Sequence, residues 1–126
     1  MAETQVIDGR FALEREHRRG GMGTVWRARD LETSRPVAVK LLNASSLEQG
    51  ERFRREAALL AEFADGSIVS YVGSGTTAEG VPYLAMEWLE GETLAERLAT
   101  RPLGLAETLA LAEAVARAPR WRTAAV

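Results

Sequence analysis

Cysteine is absent from the 126 residues, and histidine occurs once, at His17. The first absence excludes disulfides and thiolate metal sites. The second removes most zinc and serine-triad chemistry. An excess of either charge is missing too: 16 Lys and Arg against 18 Asp and Glu leave a net charge of -2. Nothing therefore points to nucleic acid or to a membrane surface as a partner. No apolar stretch approaches the roughly 20 residues a membrane-spanning helix needs. The first ten residues, "MAETQVIDGR", lack the apolar core of a signal peptide. A cytoplasmic protein is expected. What is present is ordinary: 46% apolar and 27% charged residues, on a chain long enough for one domain with a real core.

The periodicities change along the chain, with no internal repeat or low-complexity block. "RFALEREHRR" carries a weak strand pattern, and "TVWRARD" alternates Val25, Arg27 and Arg29 with Trp26 and Ala28, as a twisted strand does. "LETSRP" reads as a turn and "PVAVKLL" as a largely buried strand. The stretch "SSLEQGERFRREAALLAEFA" is helical: Ser45 or Ser46 can cap it, and Phe53, Ala57, Leu60 and Ala64 form an apolar face. "DGS" stops it. "IVSYVGSG" and "PYLAMEWL" are two more strands around the turn-rich "TTAEG". "GETLAERLA" is a short helix ended by Pro102 and Gly104. "LAETLALAEAVARA" starts another, which "PRW" ends. Helices do not alternate regularly with strands, so an antiparallel sheet with a packed helix is expected rather than a doubly wound parallel one.

Three features can carry chemistry. In "RRGGMGTV", Gly20, Gly21 and Gly23 surround Met22. Glycine lets backbone amides approach an anion without a Cβ in the way, although most such hairpins are only turns. In "VAVK", Lys40 sits between aliphatic residues seventeen positions after Gly23. Such a lysine either points out of a half-exposed strand or reaches phosphates and is held by a carboxylate. Glu56, in "FRREA" on the following helix, is either that carboxylate or a solvated helix position.

Taken in order, "GGMGTVWRARD", "VAVK", "FRREA" and "PYLAMEWLEGETL" resemble the small lobe of the eukaryotic-like Ser/Thr protein kinases of bacteria. The likeness runs from about Arg10 to about Ala118 and rests on the ordered set rather than on any one piece. It implies an α+β fold: a five-stranded antiparallel sheet with one packed helix, followed by the first helices of an incomplete large lobe. The implied organisation is a tail over 1–9, a nucleotide-binding lobe over 10–90, the start of the large lobe over 91–118, and a disordered tail over 119–126.

The resemblance also implies roles. Gly20 and Gly23 match the second and third glycines of the loop that covers the nucleotide, with Gly21 and Met22 between them. Val25 packs on the adenine and Ala38 lines its pocket. Lys40 pairs with the α- and β-phosphates of ATP and with Glu56. Met86 stands behind the adenine, Glu87 to Leu89 supply backbone groups for the base, and Gly91 begins the turn into the large lobe. The family transfers the γ-phosphoryl group of ATP to Ser or Thr hydroxyls with the help of Mg2+.

Two departures stand out. Arg18 occupies the position of the first loop glycine, and His17 a position that is usually aliphatic; His17 is expected to be a partly exposed edge residue. The sequence also has no "HRD" and no "DFG", the stretches that supply the catalytic base and the magnesium ligands. Phosphoryl transfer by these residues alone is not expected, and no metal ligands are assigned. The final "PRWRTAAV" resembles nothing in the family and has the composition of an out-of-frame reading of GC-rich DNA. The alternatives are a non-catalytic, pseudokinase-like interaction module and a frameshifted gene fragment. Leu105, Leu109 and Ala112 share one face of the last helix, widened by Leu111 and Val115, and that face is the expected place for a protein partner.

Overall fold

The computed structural model describes residues 3–20, 23–43, 47–62 and 69–117. Gly21, Met22, the Ser45 and Ser46 caps, the "DGS" stop, Ala64 and the segment 119–126 lie outside the described residues. Six strands form one antiparallel sheet: β1 (Val6–Ile7), β2 (Phe11–Arg19), β3 (Gly23–Asp30), β4 (Pro36–Leu42), β5 (Tyr71–Thr76) and β6 (Pro82–Glu87). They are ordered β1-β2-β3-β4-β6-β5. Helix α1 (Leu47–Glu62) lies between β4 and β5 in the chain, and α2 (Leu94–Thr100) and α3 (Leu105–Arg117) follow β6.

The sheet has one strand more than the five expected. Residues 6–7, read from the sequence as part of a tail, pair with Phe11 and Ala12 of β2. The cause is local. Asp8 and Gly9 both have positive φ, 51° and 64°, and Arg10 N–H donates to the Ile7 carbonyl. Asp-Gly is among the pairs that take this left-handed geometry most readily, which suits a tight hairpin. The hairpin then buries Ile7 in the core.

That core fills one face of the sheet. Ile7, Phe11, Leu13, Ala28, Val37, Val39, Tyr83 and Ala85 are all buried in one cluster. The sheet is curled enough that Phe11, near one edge, meets the Tyr83 ring edge-on at 6.0 Å. Asp8, in the first hairpin, accepts a short hydrogen bond from the Tyr83 hydroxyl. Helix α1 turns Phe53, Ala57 and Leu60 inward, the i, i+4, i+7 spacing of an amphipathic helix, and packs on β5 and β6.

The chain falls into two compact units, one holding the six strands and α1 through Trp88 and the other running from Leu89 onward. In the second unit Thr93 caps α2 by accepting from Glu96 N–H at 3.1 Å. The Glu107 carboxylate accepts from Gly104 N–H at the start of α3 and pairs with Arg97 and Arg101. Neither α2 nor α3 buries a residue. No described helix is long and apolar enough to cross a membrane.

Candidate functional site

Side chains alternate across a strand, and directly paired residues share a face. Val25 pairs with Lys40 and Arg27 with Ala38 between β3 and β4. Ala38 pairs with Met86 and Lys40 with Leu84 between β4 and β6. Val25, Arg27, Ala38, Lys40, Leu84 and Met86 therefore line one face, opposite the Val39–Ala85 core. Four residues picked from the sequence, Val25, Ala38, Lys40 and Met86, stand together there, each half-buried.

Lys40 and Glu56 are not joined. Among the described residues no ion pair links them; instead the Lys40 ammonium sits over the Phe53 ring, 5.9 Å from its centroid. Phe53 and Glu56 are three residues apart on α1, hence one turn from each other on neighbouring parts of its surface. The two placements of the ammonium are close in energy. A cation–π contact contributes about 0.5–1 kcal/mol at an exposed site and a solvent-accessible ion pair about 0–1 kcal/mol. The position of α1, set by Phe53, Ala57 and Leu60, selects between them.

The glycine stretch begins where β2 ends. Arg18 pairs with Val25 and Arg19 with Thr24, so the strand stays extended through the position of the first loop glycine, and the Arg18 side chain is exposed. Gly20 N–H donates to the Gly23 carbonyl at 2.9 Å, which closes the hairpin. Gly23 has a structural duty as well: a Cβ there would lie 2.4 Å from the Leu41 carbonyl oxygen. No other residue lets β3 approach β4 this closely, so this glycine answers to strand packing whatever lies above the turn.

At the far end of the face, Glu87 is tied to Ser70: its N–H donates to the Ser70 carbonyl and its carboxylate accepts from Ser70 N–H, both at 2.9 Å. That amide is thus already engaged. Trp88 follows, and the edge of His17 meets its ring with centroids 4.9 Å apart. Two guanidiniums also lie over this ring, Arg27 at 5.5 Å and Arg15 at 5.8 Å. Leu89 belongs to the second unit and is exposed.

Several of these contacts escaped the sequence reading. His17 is an exposed residue, as expected, but its partner Trp88 lies 71 positions away and no local pattern links the two. Asp30 is almost fully buried and takes a two-pronged hydrogen bond from Arg10 at 3.0 and 2.9 Å. Hydrogen bonding to Arg10 draws the Asp30 carboxyl down to about 2, against the opposing effect of its burial. Burial pushes the Tyr83 hydroxyl well above the usual phenol range, and its bond to Asp8 adds to this. The hairpin at Asp8 and Gly9 was missed as well, since residues 1–9 were read as a tail. A cavity of about 220 Å³ opens between α1 and the β5–β6 pair, next to Phe53, Ala57 and Tyr83. None of the residues picked from the sequence for the nucleotide face lines it. Among the described residues no cluster of three or more acidic or histidine side chains could hold a metal ion.

Comparison with known proteins agrees with this architecture. The sequence profile of the family described as protein tyrosine and serine/threonine kinase matches residues 11–121. The chain is 34% identical over 117 residues to the serine/threonine-protein kinase pkn2 of Myxococcus xanthus, covering 90% of this chain and 14% of that protein. It is 40% identical over 121 residues to PknA of Mycobacterium tuberculosis, covering 90% of this chain and 28% of that one. A crystal structure of the Mycobacterium tuberculosis PknI kinase domain superposes with a TM-score of 0.78 at 25% identity, over 91% of this chain and 47% of that one. The chain thus spans well under half the length of these curated relatives. The ordered motifs, the curled antiparallel sheet with its single packed helix and these matches together place the chain in the protein tyrosine and serine/threonine kinase family.

Proposed function

We propose that the face lined by Val25, Ala38, Lys40 and Met86 is an ATP site. The register that puts these four half-buried residues on one side of the sheet, with the glycine hairpin at its end, carries the reading. Val25, Ala38 and Met86 supply the apolar surface a purine ring needs, and Leu89 lies beyond the strand that carries Met86. Lys40 is the cation that meets the phosphates, since it is the one lysine in the sequence and stands in the middle strand of the face. Glu56, three residues after Phe53 on α1, is the carboxylate that would hold Lys40 in this reading. Gly20 and Gly23, joined by the bond from Gly20 N–H to the Gly23 carbonyl, bound the glycine stretch whose backbone amides would meet the phosphate charge.

ATP supplies the phosphoryl group in this family, and Mg2+ its counter-charge. These 126 residues contribute neither an "HRD" nor a "DFG" stretch. Phosphoryl transfer therefore requires groups that they do not supply, because positioning of the acceptor and stabilisation of the transferred group are both missing. The reading is of a nucleotide-binding lobe, in a cytoplasmic setting, that does not transfer phosphate unaided. Calorimetric titration with ATP tests it. The parent chain should bind, and Lys40→Ala should weaken binding tenfold or more, roughly the loss of one charge-assisted contact of about 1.5–3 kcal/mol, while the melting temperature changes little. Equal affinity in the two proteins would contradict it.

A further inference from the structure

We propose that the His17–Trp88 contact is a latch across the base end of the nucleotide face, which a purine must open to enter. The proposal rests on the reading of that face as an ATP site and adds to it a residue that controls entry.

Trp88 is fixed on the face from several sides. Arg27, whose guanidinium covers the indole, is the cross-strand partner of Ala38 and is itself anchored by the Glu14 carboxylate at 2.8 Å. Arg15, the cross-strand partner of Arg27, covers the ring as well. The indole therefore stands on the same side of the sheet as Val25, Ala38 and Met86, two residues beyond Met86. His17 reaches it from β2, three residues before Gly20. The contact joins the strand that leads into the glycine hairpin to the chain that leaves β6. These are the two borders between which a base would pass.

His17 differs from Arg27 in one respect. Arg27 is bound into an ion pair and so belongs to the sheet's own framework, whereas among the described residues His17 has no ion pair and its ring contact is with Trp88. Its side chain is exposed, so it can swing away without opening the core. An edge-to-face ring contact shifts an equilibrium by a factor of about 2 to 10. A ligand that binds only the open form has its affinity reduced by the fraction of molecules that are open. His17 thereby holds affinity for the base down and leaves the phosphate end untouched.

The sole histidine makes the test direct. In untagged protein the His17 imidazole gives one pair of ring signals by NMR, displaced from the free-imidazole position by the Trp88 ring. Titration with adenosine, which has no phosphates, should move them toward the free position. In calorimetry His17→Ala should bind both ATP and adenosine about 2- to 10-fold tighter than the parent. Unchanged or weaker binding by His17→Ala, with ATP still bound, would overturn the latch and leave the ATP site standing. So would histidine signals that stay fixed as adenosine saturates the protein. Absence of ATP binding in parent and variant alike would remove the ATP site, and the latch with it.

Discussion

The sheet unit buries Ala28, Val39 and Ala85 completely, whereas the two helices that follow it bury no residue. Leu105, Leu109 and Val115 are 78%, 60% and 55% exposed on α3, although their spacing would suit a buried face. The difference lies in what each unit has to cover itself with. Six strands and α1 enclose a common core. The helices are supported by local devices: the Thr93 cap, the Glu107 bond to Gly104, and the pairs from Glu107 to Arg97 and Arg101. Devices of this kind stabilise by tenths of a kcal/mol to about 1 kcal/mol each. Helices shorter than about 12–15 residues are marginal in water without tertiary packing. The contrast is one of burial: the sheet unit covers its apolar residues with its own strands and α1, whereas α2 and α3 bury no residue.

The largest effect expected from this contrast is in hydrogen exchange. Amides of β4, residues 37 to 42, should exchange on the order of a thousandfold more slowly than those of residues 105 to 117, because core strands open only with global unfolding and uncovered helices open locally. Comparable protection in a protein shown to be monomeric would mean that α3 is covered after all.

Paired truncations sharpen the same point. Phe11 is 1% exposed, packs on Tyr83 and lies under the Arg10 guanidinium; Phe11→Ala should cost about 3–5 kcal/mol in a denaturant titration. Leu109→Ser should change stability by less than about 0.5 kcal/mol. Similar losses from the two would erase the distinction between the units.

The next effect is a pH dependence that originates in the sheet unit. The Asp30 carboxyl is held down from 3.8 to about 2, chiefly by Arg10. Since its value is lower in the folded state, the stabilisation is fully present above about pH 4 and is lost as the pH falls toward 2. Asp30→Asn should therefore be less stable by about 2–3 kcal/mol at neutral pH, with the gap to the parent closing between pH 4 and 2. Thermal melts across that range would show it, and a gap that stays constant would deny Asp30 this role.

Much of the fold was legible in the sequence because its signals are local. Alternation in "TVWRARD", the β-rich "PVAVKLL" and the i, i+4, i+7 spacing of Phe53, Ala57 and Leu60 each follow from one element's own periodicity. β1 was not read: the two-residue strand Val6–Ile7 is too short to show a periodicity of its own, and its pairing with Phe11 and Ala12 appears only in the fold. The face of the candidate site followed once the strand types were right, since Val25, Ala38, Lys40 and Met86 fall on one side through period-two alternation and antiparallel pairing.

What the sequence by itself determined, then, is most of the succession of elements and the residue types that share one face of the sheet. Tertiary structure alone decided three things. It sent the Lys40 ammonium to Phe53 rather than to Glu56, because α1 is positioned by its buried face and the two contacts differ little in energy. It gave Gly23 a packing duty, because β3 and β4 approach within reach of the Leu41 carbonyl. It brought His17 to Trp88 across 71 residues, because the curl of the sheet and the course of the chain leaving β6, neither encoded in a short stretch, set which distant side chains meet.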